Sequence, residues 1–154
     1  MNLPIQEATA KTVLPGQPPF YLIDGLVTTY YSSDTNPTTD PWIQLKLKKS
    51  ETVSYVTIVN RVDCCGERLH GTMVFIGHNA TSLKTDHTTD LSNHLCGTFK
   101  ETGCIGEIVT INCKEPLKGK FVVLRKNDVY EVPMNMAEIQ VHGSTTSKTN
   151  TDGK

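Results

Sequence analysis

Two adjacent cysteines, Cys64 and Cys65, stand between two arginines in the run Asn60-Arg61-Val62-Asp63-Cys64-Cys65-Gly66-Glu67-Arg68-Leu69. Neighbouring Cα atoms lie about 3.8 Å apart across a trans peptide, short of the roughly 4.4–6.8 Å that an ordinary disulfide spans. A bond between Cys64 and Cys65 would therefore close a small ring, pin a tight turn and present a compact apolar knob. Arg61 and Arg68 carry planar forks that donate and never accept, and Asp63 between them is suited to hold a guanidinium in place. Fixed cationic donors beside an apolar bump suit a small ligand rich in hydroxyls and ring oxygens, such as a sugar. On these residues alone a second reading is equally open: an inert salt-bridge network in a loop, with each cysteine paired elsewhere.

Other reactive residue types do not assemble into a motif. His70, His78, His87 and His94 are scattered through loops and strand edges, with no nucleophile or paired carboxylate at a telling spacing. Asp86 and Asp90 are too generic in spacing for a glycosidase pair. No Cys-x-x-Cys pair is present, and His94 near Cys96 lacks matching ligands for a metal site.

The elements that must position the arginine run are short strands between turn-rich loops. Trp42 to Leu47 alternates, with Ile43, Leu45 and Leu47 on one face and Gln44 and Lys46 on the other, which predicts a half-buried strand. Val53 to Val59 is rich in β-branched and aromatic residues and leads straight into Arg61. Further strands are expected at 72–76, 108–113, 121–124 and 138–141, with no convincing amphipathic helix. This spacing indicates an all-β sandwich or barrel. The polar loop from Thr28 to Pro41 is placed to neighbour the arginine loop, where Tyr30 and Tyr31 are suited either to stack on a sugar or to pack at the rim.

The run Arg61-Val62-Asp63-Cys64-Cys65-Gly66-Glu67-Arg68-Leu69 resembles the signature of the F-type lectins, the fucose-binding fucolectins. The resemblance extends through Ile23-Asp24-Gly25, Pro41-Trp42-Ile43-Gln44-Leu45, Val56-Thr57-Ile58-Val59-Asn60, Val74-Phe75-Ile76-Gly77, Gly119-Lys120-Phe121-Val122-Val123 and Ala137-Glu138-Ile139-Gln140-Val141-His142-Gly143. It implies a β-sandwich of jelly-roll type and non-catalytic binding of fucose or fucosylated glycans, with no chemistry on the ligand. Arg61 and Arg68 would bind the sugar, Asp63 would orient them, and a Cys64–Cys65 disulfide would form its floor. Tyr31 is assigned to the same site. The family's site histidine is missing: ungapped counting puts Asp34 in its place, and the local pattern puts Asn36 there. Either side chain still offers an acceptor to a hydroxyl. That departure also motivates the alternative of a sandwich adhesion or protein-interaction module with lost or altered sugar binding.

The family also implies a structural Ca²⁺. Glu138 matches its glutamate ligand, or is an ordinary strand-end surface charge, while the loop from Leu26 to Tyr31 lacks carboxylates and amides. The resemblance further implies a Cys96–Cys113 disulfide, worth about 3 kcal/mol by loop closure, and leaves Cys104 over. The family's third bridge lacks both ends here, where Ser33 or Asp34 and Ala137 stand.

Length and charge bound the rest. The 154 residues with 37% hydrophobic content fit one domain over 1–143 with a flexible polar tail over 144–154. A net charge of −1 indicates no nucleic-acid partner, and no apolar run is long enough for membrane insertion. The opening residues do not look like a signal peptide, yet the cysteines favour a secreted mature chain. Asn79-Ala80-Thr81 is a glycosylation sequon. Shallow sugar sites gain avidity by multivalency, so homo-oligomers fit this reading.

Overall fold

The alternation at Ile43, Leu45 and Leu47 has its expected result in the computed structural model, which describes residues 1–34, 41–85, 89–126 and 133–143. All three side chains are fully buried on β3 (Trp42–Val59), a single strand where two were expected. The strands expected near 108–113 and 121–124 likewise merge into β6 (Ile108–Lys126). The polar stretches between the apolar halves are carried by antiparallel pairing of β3 with β6 on either side of them, Trp42 to Lys46 against Phe121 to Arg125 and Tyr55 to Val59 against Ile108 to Asn112.

Register shifts between Lys46 and Glu51, and between Val53 and Tyr55, mark where this ladder passes from one layer to the other. Its first half lies with β1 (Ile5–Ala10), β4 (Thr72–Gly77) and β5 (Leu95–Thr98) in the order β1-β3-β6-β4-β5. Its second half takes β8 (Glu138–Gly143) on the edge of β3. A pair formed by β2 (Tyr31–Ser32) and β7 (Asn135–Met136) lies outside this sheet. The layers meet in a core that includes Ile43, Leu45, Val56, Ile58, Val74, Ile76, Val122, Leu124, Ile139 and Val141. Each such side chain contributes roughly 1.5–3 kcal/mol on burial. The result is the expected all-β sandwich.

A smaller cluster of Phe75, Leu83 and Val123, with Trp42 beside it, lies on the other side of the strands. Leu83 reaches it from α1 (Ala80–Thr85), one turn of helix that the polar sequence there does not announce. Exposed Asn79 of the sequon caps this helix, its Oδ1 accepting from Ser82 N at 3.1 Å. Gly119 sits where an added Cβ would lie 2.5 Å from the Gly77 carbonyl oxygen, so the ends of β4 and the bend of β6 touch backbone to backbone. A disulfide joins Cys96 on β5 to Cys113 on β6. Among the described residues no helix is long and apolar enough to cross a membrane. The tail over 144–154 lies outside the described residues.

Candidate functional site

β3 ends at Val59 and delivers Asn60 into the interior, fully buried. Its Oδ1 accepts from Arg61 N at 3.0 Å, and its Nδ2 donates to the carbonyl oxygens of Gly66 at 2.9 Å and Cys104 at 3.0 Å. One amide thus ties both ends of the 60–66 loop to the 103–107 loop. Gly66 and Gly103 make the approach possible: a Cβ on Gly66 would lie 2.6 Å from the Cys104 carbonyl carbon, and one on Gly103 would lie 2.6 Å from the Gly66 oxygen. Gly106 N completes the seam by donating to the Arg61 oxygen at 2.7 Å.

Cys64 and Cys65 are joined to each other, with Cα atoms 3.7 Å apart. Cys65 is left-handed at φ 67°, the one non-glycine residue with positive φ among the described residues. It opens the 3₁₀ turn Gly66–Leu69, which carries Arg68 half-buried at the surface and plugs fully buried Leu69 into the core. Cys104 is exposed and unbridged.

Arg61 is pinned. Its Nε and Nη2 donate to the two oxygens of Asp63 at 2.9 and 2.8 Å, and its Cζ stands 3.7 Å from the centre of the Tyr30 ring. The arginine side chain is 9% exposed and the aspartate 56%. The hydrogen bond to Arg61 holds the Asp63 carboxyl below the usual range and raises Arg61 in turn. Among the described residues nothing accepts from Arg61 Nη1, nor from the Arg68 guanidinium, so both forks keep donors for a ligand.

Tyr31 does not take the place expected of it. Its ring is fully buried, and its hydroxyl donates to the Thr12 carbonyl at 2.8 Å. Burial, and then the charge of Asp34, push that hydroxyl's pKa up. Successive residues of an extended chain point to opposite sides, so burying Tyr31 on β2 turns Tyr30 to Arg61. Asp34 is held through its backbone, its N donating to Thr12 Oγ1 at 3.1 Å. Asn36 lies outside the described residues.

Glu138 is no surface charge: it is 8% exposed. Its Oε2 accepts from Gly25 N at 3.3 Å, while Oε1 is buried with no donor among the described residues. Asp24 stands beside it, accepting from Leu26 N at 2.9 Å and Thr29 Oγ1 at 2.6 Å. Burial pushes the Glu138 carboxyl up to about 7, the Gly25 N–H opposes this, and Asp24 adds to it. An orphaned buried oxygen next to a second carboxylate fits a hard cation in kind. Calcium takes about 6–8 oxygens, and no group of three or more His, Cys, Asp or Glu forms among the described residues. Backbone carbonyls would therefore have to supply most of the shell.

Asn60 and Lys126 are residues around the turn that sequence spacing did not single out, whereas Tyr30, one of two tyrosines expected to stack or to pack at the rim, packs on Arg61. A polar Asn directly after an apolar strand is the local signal that Asn60 leaves, and Lys126 leaves none.

At one end of the sandwich, then, the Cys64–Cys65 turn stands with the guanidinium forks of Arg61 and Arg68, an arrangement of donors rather than of reacting groups. Residues 21–124 match the family model of NedA-like, galactose-binding domains of the F5/F8 type C group. The chain is 31% identical over 141 residues to Fucolectin-1 of Anguilla japonica, covering 88% of this chain and 71% of that protein. In structure it is similar to a fucolectin from the serum of Morone saxatilis, the striped bass, with a TM-score of 0.73 and 25% identity over 89% of this chain and 46% of that one. A fucose binding module of Streptococcus pneumoniae shares the fold at a TM-score of 0.69 and 18% identity, covering 94% of this chain and 96% of that one. The chain belongs to the F5/F8 type C family and, within it, to the fucolectins: a non-catalytic, carbohydrate-binding lectin domain.

Proposed function

We propose that this domain recognises fucose, free or at the ends of fucosylated glycans, through Arg61, Arg68 and the Cys64–Cys65 knob. The observation that carries this reading is the Arg61 guanidinium, fixed by Asp63 and Tyr30 with its remaining donors unmet among the described residues, in the same loop as the Cys64–Cys65 disulfide. A preorganised donor loses little freedom on binding, and the hydroxyl and ring oxygens of a sugar supply the acceptors to meet it. The names of the relatives, fucolectins and a fucose binding module, support the same ligand. Asp34 and Asn36 stand as candidates to accept from a hydroxyl in place of the family's histidine.

In this reading the domain acts outside the cell, in glycan-dependent recognition such as innate defence or adhesion, and gains avidity from several copies. A structural Ca²⁺ would be held by Glu138 Oε1 and Asp24, and would serve to close the Asp24–Thr29 loop. A glycan array tests the ligand: binding confined to fucosylated structures is expected, and a folded protein that captures none of them overturns the reading in favour of an adhesion module that has lost sugar binding.

A further inference from the structure

Lys126 closes β6, paired with Thr72 at the first rung of β4. Its ammonium donates to the carbonyl oxygens of Arg68 and His70. Between them, the Leu69 carbonyl accepts from Thr72 Oγ1 at 2.7 Å. Three consecutive carbonyls of the Arg68 turn are thus each bound by a side chain from that one rung.

A 3₁₀ turn of four residues cannot satisfy these oxygens from its own backbone. Bonds from an ammonium to a carbonyl are stronger than neutral ones, and one ammonium has donors for both. The Arg68 guanidinium has no hydrogen-bond or ion-pair partner among the described residues, so its direction follows from how its backbone is held. Arg61 differs, because Asp63 and Tyr30 fix its side chain directly.

We propose that Lys126 is a positioning residue for sugar recognition, a half-buried cation that holds the turn bearing Arg68 shut and aims that guanidinium at the ligand. The proposal rests on Arg68 being a sugar donor, as above. Nothing in the local sequence marks it, since Lys126 lies far along the chain from the turn it clamps.

The test titrates L-fucose into wild type, Lys126→Met and Lys126→Arg by calorimetry, and follows the Arg61 and Arg68 Nε–H signals by NMR in the free proteins. Loss of a charge-assisted clamp should weaken fucose binding by roughly five- to twentyfold in Lys126→Met. Lys126→Arg, whose fork still spans two carbonyls, should recover most of it. The Arg68 signal should shift or broaden in the methionine variant while that of Arg61 stays in place, a split that general loosening of the fold would not give. If the methionine variant fails to fold, Lys126→Gln takes its place. Equal affinity in wild type and variant, or equal disturbance of both arginine signals, overturns the clamp alone. A wild type that takes no fucose overturns the sugar reading and the clamp with it.

Discussion

The Arg61 guanidinium carbon stands 3.7 Å from the centre of the Tyr30 ring. Stacked there, the ring blocks one face of the fork and leaves its edge for a ligand. The contact joins the two loops at this end of the sandwich, because Tyr30 immediately precedes β2, and β2 is hydrogen-bonded to β7. Replacing Tyr30 by Ala should weaken fucose binding by about three- to tenfold, the range of a cation–π contact of ~0.6–1.4 kcal/mol. Tyr30→Phe keeps the ring face and should bind nearly as wild type. Calorimetry on the pair decides whether the ring matters.

Asp63 accepts both bonds from Arg61, and that contact holds its carboxyl below the usual range. A depressed acid contributes above its unfolded pKa and loses that contribution as pH falls through the folded value. Sugar affinity should therefore stay level on mild acidification and fall only below the ordinary carboxylate range. Asp63→Asn should lower affinity at neutral pH and flatten that acid limb, with little loss of stability because the group is largely exposed. Affinity measured against pH for both proteins is the check.

Glu138 follows the opposite sign. Burial raises its carboxyl from 4.5 to about 7. Its stabilising contribution is complete below the unfolded value and is lost as pH rises through the folded one. In calcium-free buffer the melting temperature should fall from about pH 5 to about pH 8, and Glu138→Gln should remove most of that slope. A flat wild-type profile contradicts the buried, raised carboxyl. Added calcium should restore the alkaline loss in wild type and leave Glu138→Gln unmoved, because the metal takes the charged oxygen.

Gly66 has no room for a side chain: the atoms it would meet are the backbone carbon of Cys104 and nitrogen of Ile105, at 2.6 and 2.7 Å. Gly66→Ala should cost about 1–3 kcal/mol by overpacking and should weaken sugar binding by displacing the turn. Urea unfolding read beside fucose titration tests both parts.

How far the sequence discloses this molecule depends on the range of the interaction. Period-two alternation places Ile43, Leu45 and Leu47 correctly, because burial on one face of a strand is written locally. The Arg61–Asp63 pair is local too, two residues apart. The F-type lectin resemblance supplies both disulfides, which spacing alone leaves open. What stays hidden is set by distant partners. β1 reads as Ile-Gln-Glu-Ala-Thr-Ala, weak in β-branched residues, and is a strand because the edge of β3 receives it. Two neighbouring tyrosines look alike until β2 turns one inward. Glu138 resembles a surface charge until the Gly25 backbone closes over it. Asn60 and Lys126 act on carbonyl oxygens, which leave no mark in the residues that bear them.

Fucose is proposed to sit on the turn between Arg61 and Arg68. Calorimetric titration of L-fucose into wild type and Arg61→Ala, each first shown to be folded, is the decisive experiment. Saturable binding by wild type, absent in Arg61→Ala although its melting temperature drops only a few degrees, is the expected result. The same affinity in both proteins, or no heat of binding from folded wild type, contradicts it.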